Sequence, residues 1–252
     1  MGLIPQVGDV TEKKYTSPKS IVIYGKPKTG KTTVASQLPQ DKYLMVDLDN
    51  GAYFLDVVKT GAINTLSDFE QAVGELMMLN KDNGGKPLFK YGVIDTISKL
   101  EDLAISAGAR LYKNSSIGKN WEGEDSDLLN LPRGAGYGYL RTAFIKMVDV
   151  LNTLFEHIIY IGHVKDSSIS KNGKEVNVTD IDLIGKNKQL INSNVDAIAY
   201  MYREDDGLHI TFKSSDEILC GSRTPNLRGK DILFADTDGS NAKWDLIFGK
   251  DL

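Results

Sequence analysis

The run Gly25-Lys26-Pro27-Lys28-Thr29-Gly30-Lys31-Thr32 fits the pattern G-x-x-x-x-G-K-[ST] at every fixed position and constrains the chain more than any other stretch. Such a loop needs a strand before it and a helix after it. Ser20-Ile21-Val22-Ile23-Tyr24 reads as a short buried strand, and Thr33-Val34-Ala35-Ser36-Gln37-Leu38 as the first turns of a helix stopped by Pro39. In that setting the glycines let the backbone curl, so that its N–H groups point at phosphate oxygens and the helix N-terminus adds partial positive charge. Gly25 through Thr33 is therefore the candidate nucleotide-binding segment. Lys31 would reach the β- and γ-phosphates, and the Thr32 hydroxyl would bind Mg²⁺.

Other strands end in carboxylates. Lys42–Leu48 is apolar and closes on Asp47 and Asp49 before the turn Asn50-Gly51; Tyr91–Ile94 closes on Asp95-Thr96. In open α/β sheets ligands sit beyond the C-terminal strand ends, which puts all three acids near the phosphate loop. Asp95 suits the second Mg²⁺ contact of a phosphate-loop NTPase. Asp47 and Asp49, two apart on a strand, point to opposite faces and should not share a role. His157-Ile158-Ile159-Tyr160-Ile161-Gly162-His163 is a further buried strand, with His157 structural at its start and His163 on the active-site rim at its end.

Between these strands the helical signals are clear. Ser67-Asp68-Phe69-Glu70 reads as a capping box, Leu100 to Leu111 keep one apolar face, and Leu140 to Phe155 carry a clean 3.6 period from Gly138 to Glu156. Residues 113–138 are loop-like, with Arg133, Tyr137 and Tyr139 interleaved with glycine, a composition suited to stacking on bases. Residues 164–188 form a second loop-rich region, in which Lys171-Asn172-Gly173-Lys174 reads as a hairpin turn. Asp196–Arg203 and Leu208–Lys213 read as two antiparallel strands, and the tail around Trp244, Leu246, Ile247 and Phe248 as a short strand. Arg223, Arg228 and Lys230 form a basic cluster with no acid between them, a positive group for a γ-phosphate or a nucleic-acid backbone.

The expected organisation is an N-terminal arm over residues 1–19 and one core domain over 20–252, a size that suits one α/β domain. With a formal net charge of −4 there is no global pull toward nucleic acid, so such binding would use local patches. Cys220 is the one cysteine, so no intramolecular disulfide can form and a reducing compartment is the simple inference. No apolar run reaches membrane-spanning length and the start lacks a signal-peptide core, which leads us to expect a cytoplasmic protein without a membrane partner.

Taken in order, the phosphate loop, the strands ending in Asp47-Leu48-Asp49 and Asp95-Thr96, the Gly-Tyr-rich loop, the strand ending in Gly162-His163-Val164-Lys165 and the late antiparallel strands resemble the RecA-like core ATPases encoded by bacteriophages. That group includes single-strand annealing proteins. The resemblance covers roughly residues 18–235. It implies a RecA-like α/β fold with a largely parallel sheet flanked by helices and an antiparallel C-terminal extension. It also implies ATP and Mg²⁺ as ligands, single-stranded DNA as partner, a homo-oligomeric ring or filament, and residence in the host cytoplasm. By position, Asp49 stands where that family places a water-orienting Glu; one methylene shorter, it implies slow turnover. His163 stands at the γ-phosphate sensor. The 113–138 and 164–188 stretches stand at the two DNA-facing loops, with Lys171 and Lys174 in the second. Arg223, Arg228 and Lys230 lie where contacts to a neighbour's nucleotide are expected.

The expectation is thus an ATPase acting on single-stranded DNA in recombination or annealing. A nucleotide-dependent DNA-binding or loader module with incidental hydrolysis is the alternative of another class. A motor or helicase relative, and a stand-alone NTPase or small-molecule kinase, also remain open. GTP is disfavoured because Asn187-Lys188-Gln189-Leu190 has Leu where a guanine-reading motif needs Asp.

Overall fold

The alternating apolar runs assemble into one twisted sheet. The computed structural model describes residues 16–171 and 174–249, so residues 1–15 of the expected arm over 1–19 lie outside them. The parallel core is built from β1 (Ser20–Gly25), β2 (Tyr43–Asp47), β3 (Tyr91–Asp95), the first half of β4 (His157–Lys171) and β6 (Ala197–Glu204); β5 (Lys174–Ile181) pairs with the far half of β4. β7 (Gly207–Thr211), β8 (Gly221–Ser222) and β9 (Asp231–Ala235) join antiparallel, and the sheet runs β2-β3-β4-β1-β6-β7-β9. This is the α/β architecture read from the sequence: a largely parallel sheet extended by antiparallel strands.

Both faces of the parallel strands are covered, so the strands read as continuous apolar runs rather than alternating ones. Val22, Tyr24, Val46, Ile94 and Tyr160 face α2 (Leu66–Asp82), α3 (Ile97–Lys113) and α4 (Ala135–Leu154). Ile21, Ile23, Met45, Val93 and Ile161 face α1 (Lys31–Ala35) and the tail helix α6 (Asp245–Phe248). The remaining helix, α5 (Asn187–Asn194), leads into β6. Among the described residues no helix is long and apolar enough to cross a membrane.

Several local expectations are corrected. The helix after the phosphate loop is only Lys31–Ala35, short of Leu38. The capping box of α2 closes between Thr65 and Asp68, not Ser67 and Glu70, because the helix starts at Leu66 with Thr65 as its cap and Ser67 already lies in the first turn. β4 does not stop at His163. The whole strand spans 15 residues, and its part beyond His163 forms a ribbon whose register with β5 closes on Lys171 and Lys174; residues 172 and 173 of the expected hairpin turn lie outside the described residues. The 113–138 stretch is not a free loop either. Short 3₁₀ turns at Asp125–Asn130 and Pro132–Gly134 bury Leu128 and Leu131, and α4 begins at Ala135 rather than Gly138. The tail is the helix α6 rather than a strand: Trp244 anchors it by donating Nε1–H to the Val34 carbonyl at 2.8 Å.

Candidate functional site

Sheet order sets the site. β4 lies between β1 and β3, and in register Gly25 of the phosphate loop is level with His163 on one side and Met201 of β6 on the other. Asp47 is level with Asp95 across β2 and β3. The strand ends that carry the acids and His163 therefore converge on one rim.

Within the loop, two glycines are required by geometry. A Cβ on Gly25 would sit 2.4 Å from the Met201 carbonyl oxygen, and Gly30 adopts φ +106°, a region that L side chains avoid. The Lys31 ammonium folds back and donates to the carbonyls of Gly25 and Lys26 at 2.9 and 2.8 Å. It is buried, and burial lowers its pKa to about 8. A buried cation held only by carbonyls can exchange them for anionic oxygens at small cost.

Thr32 and Asp95 meet directly: the Thr32 hydroxyl donates to Asp95 Oδ2 at 2.7 Å. Asp95 is 3% exposed, and burial raises its pKa, with Asp47 and Asp49 adding to the same direction. A buried carboxylate among other acids favours a nearby positive charge.

Asp47 and Asp49 divide as their opposite faces require. Asp47 is closed off: its oxygens accept from the backbone N–H groups of Gly51 and Ala52, and Lys59 pairs with it at 2.8 Å. Asp49 lies on the rim, 3.6 Å from His163 Nε2. The His163 Nδ1 is buried without a hydrogen-bond partner among the described residues. His157 lies at the other end of β4, donating Nδ1–H to the Pro18 carbonyl at 2.8 Å and stacked on Tyr91.

The structure separates the remaining candidates from this rim. Arg133 is exposed at φ +58°, Tyr137 is 42% exposed, and Tyr139 packs edge-on against Tyr112. Tyr139 is thus tied to the core rather than presented to a ligand. The side chains of Lys171 and Lys174 lie outside the described residues. Arg223 and Arg228 sit at the opposite end of the sheet: Arg223 N–H donates to the carbonyl of Asp196, whose carboxylate in turn holds the N–H groups of Lys19 and Ser20 at the start of β1. Lys230 precedes β9 and is exposed. Arg223 and Arg228 are out of reach of the phosphate loop in their own chain.

Two groups near the site escaped the sequence reading. Arg203, at the C-terminal end of β6, donates to the Thr29 carbonyl of the phosphate loop at 3.4 Å and to the Thr237 carbonyl. Glu101 of α3 is 3% exposed and accepts from Ile184 N–H and from the Asn187 side-chain amide at 2.7 Å. With the bond from Ser98 Oγ to the Asp182 carbonyl, it ties the base of the β4–β5 ribbon to the helix that follows Asp95. No local motif signals either contact, since each joins residues far apart in sequence. Asn187 belongs to the discarded guanine-type motif, and burial beside Glu101 accounts for it.

Comparison with known proteins matches residues 17–231 to the family model described as the AAA domain. Among solved structures, one from a study of a prototypical ATPase from the type III secretion system of pathogenic bacteria is 13% identical, with a TM-score of 0.45, over 74% of this chain and 53% of that one. The alignment thus spans about half the length of that ATPase. A search of curated proteins finds no match.

Proposed function

The chain belongs to the AAA domain family, and from that premise we propose that it is an ATPase that binds ATP with Mg²⁺ on Gly25–Thr33 and hydrolyses it slowly. The observation that carries this reading is the 2.7 Å bond between Thr32 Oγ1 and Asp95 Oδ2, which brings a loop hydroxyl and a buried carboxylate together beside Lys31. Both are hard oxygen donors of the kind Mg²⁺ takes, and two protein ligands are what an ion shared with phosphates needs. When bound, the ion neutralises charge on the transferring phosphoryl group.

The chain's own groups then have separable tasks. Lys31 exchanges its two carbonyl partners for phosphate oxygens. Thr32 and Asp95 hold the metal. Asp49 accepts a hydrogen bond from the attacking water, and His163, 3.6 Å from Asp49 and level with Gly25, senses the γ-phosphate. His163 is also the point where β4 leaves the parallel core and becomes the ribbon with β5. We take single-stranded DNA as the partner because the strand that passes the phosphate site at His163 runs on into the 164–188 region. Assembly into a ring or filament, with Arg223, Arg228 or Lys230 meeting a neighbour's nucleotide, completes the proposal. Annealing or recombination of DNA is the process it would serve.

The test is steady-state ATP hydrolysis by the purified chain with and without single-stranded DNA. Slow turnover raised by DNA and abolished in Lys31→Ala is the expected result. Turnover indifferent to DNA would remove the nucleic-acid part, and full activity in Lys31→Ala would remove the site.

A further inference from the structure

Away from Thr32 and Asp95, the hairpin that joins β6 to β7 gathers a second set of metal-ligating groups. Glu204 ends β6, Asp205 and Asp206 make the turn, and His209 lies on β7. Register sets His209 opposite Tyr202, and Glu204, two residues after Tyr202 on the same strand, shares its face. One ligand atom from each of Glu204, Asp206 and His209 lies within 4.8 Å of the others. Glu204, Asp205 and Asp206 line an open depression of about 400 Å³.

The imidazole sets this group apart from a run of surface acids, because it is oriented from outside the hairpin turn. Its Nδ1 stands 3.3 Å from Asp231 Oδ1 on β9, and Asp231 Oδ2 accepts from the Tyr202 hydroxyl at 2.8 Å. The Tyr202 ring stacks on the imidazole with centroids 5.4 Å apart. A carboxylate on Nδ1 fixes the tautomer and leaves Nε2 for a ligand, the outer arrangement that metal-bound histidines use. That Nε2 stands 2.9 Å from Asp206 Oδ1. Among the described residues His209 is the one ion-pair partner of the Glu204–Asp206 run, so three consecutive carboxylates face a single group that is charged only when protonated.

We propose that Glu204, Asp206 and His209 hold a divalent transition-metal ion of the zinc class, with Asp231 positioning His209. An imidazole ligand favours such ions over Mg²⁺ and Ca²⁺. Bonds of about 2.0–2.2 Å to zinc put neighbouring ligand atoms about 3.4 Å apart, a spacing that the exposed Glu204 and Asp206 side chains reach by rotation. The ion takes the place of the proton between His209 Nε2 and Asp206. It closes the end of the hairpin one residue beyond Arg203, whose guanidinium meets the Thr29 carbonyl of the phosphate loop. The site is built from residues other than Thr32 and Asp95, and it stands independently of the ATP-site reading.

The test titrates Zn²⁺ calorimetrically into the untagged chain without nucleotide, in wild type, His209→Gln, Asp206→Asn, Asp231→Asn and Asp95→Asn. Wild type and Asp95→Asn should take up one equivalent with the same affinity. His209→Gln should weaken uptake about a hundredfold, and Asp206→Asn and Asp231→Asn about tenfold each. Asp206 is exposed, so Asp206→Asn keeps the fold even where His209→Gln disturbs the hairpin; thermal unfolding midpoints without metal verify it. Added Zn²⁺ should raise the midpoint of wild type and not that of His209→Gln. No stoichiometric uptake by wild type would leave His209 an imidazole bonded to two carboxylates and overturn the proposal, as would equal uptake by His209→Gln and Asp206→Asn. Loss of uptake in Asp95→Asn alone would place the ion at the phosphate loop, overturning this inference while leaving the ATP-site reading intact.

Discussion

At the C-terminal ends of β1 and β3, Lys31 and Thr32 of the loop come together with Asp95 from another strand; Lys31 and Asp95 are buried and Thr32 is half-buried, each held by loop carbonyls or by one another. At the opposite end of the same sheet, Arg223 and Arg228 stand exposed, with guanidinium groups on the carbonyls of Ser193, Ser222 and Arg223. Both ends carry cations beside strand termini. They differ in cost: a buried ammonium and a buried carboxylate are expensive without strong partners, whereas exposed guanidiniums cost little and contribute little. Burial alone does not mark function, as Asp47 shows, for its oxygens are taken up by Gly51, Ala52 and Lys59. The distinguishing feature of the loop end is that buried groups from separate elements meet with capacity to bind something else.

That contrast can be broken most forcefully at Lys31. Lys31→Ala should weaken ATP roughly a hundredfold or more, the scale of a lost charge-assisted phosphate contact, while Arg223→Ala and Arg228→Ala leave the affinity of the isolated chain unchanged. Calorimetric titration of the three variants checks this, and an equal loss in Arg228→Ala would erase the distinction between the two ends.

The two acids after β2 offer the next test. Asp49→Asn should lower turnover by roughly ten- to a hundredfold, the range of a positioned base, with ATP affinity and stability little changed. Asp47→Asn should instead lower unfolding free energy by about 1–3 kcal/mol, because it loses the pairing with Lys59 and weakens the hold on the turn. Denaturant melts alongside hydrolysis assays separate them. Stability loss in Asp49→Asn and turnover loss in Asp47→Asn would invert their roles.

Glu101→Ala should cost about 2 kcal/mol, since the Ile184 N–H and the Asn187 amide lose their buried acceptor. If the ribbon acts through this tie, DNA stimulation of hydrolysis falls further than basal hydrolysis does. Loss of both in equal proportion would leave Glu101 a purely structural anchor.

The smallest effect belongs to the end away from the phosphate loop. Burial, helped by Lys90 and Lys19, holds the His157 pKa below its usual 6.5. The unfolded chain therefore binds a proton that the folded one resists, so stability is complete above about 6.5 and declines as pH falls below it. A His157→Phe variant should show a flatter stability profile between pH 5 and 7 in thermal melts. An unchanged profile would assign that pH dependence to other groups.

What the sequence disclosed follows the range of the forces involved. The phosphate loop was legible because its eight residues are contiguous, and the strand ending in Asp95 because a buried strand declares itself in five residues. The antiparallel extension was legible in its own apolar runs, and the largely parallel sheet is what the family resemblance implies. Strands poor in apolar residues were not legible: β4 beyond His163 has only Val164 and Ile169 among polar residues and fell in a stretch read as loop-rich, and β9 was not anticipated. The 113–138 stretch looked unstructured because its apolar residues, Leu128 and Leu131 among them, are spaced among acids, amides and glycines, yet these two are buried. Arg203, separated from Thr29 by 174 positions, and Glu101, separated from Asn187 by 86, make contacts that only the fold creates.

The most direct measurement is ATP affinity of the purified chain with Mg²⁺ and with the metal chelated, in wild type and in Asp95→Asn. If Thr32 and Asp95 hold the metal beside Lys31, chelation weakens wild-type binding by about tenfold or more, and Asp95→Asn binds like the chelated wild type whether or not Mg²⁺ is present. Equal ATP affinity in all four conditions would contradict the account, because the Thr32–Asp95 hydroxyl–carboxylate pair would then take no part in holding the nucleotide.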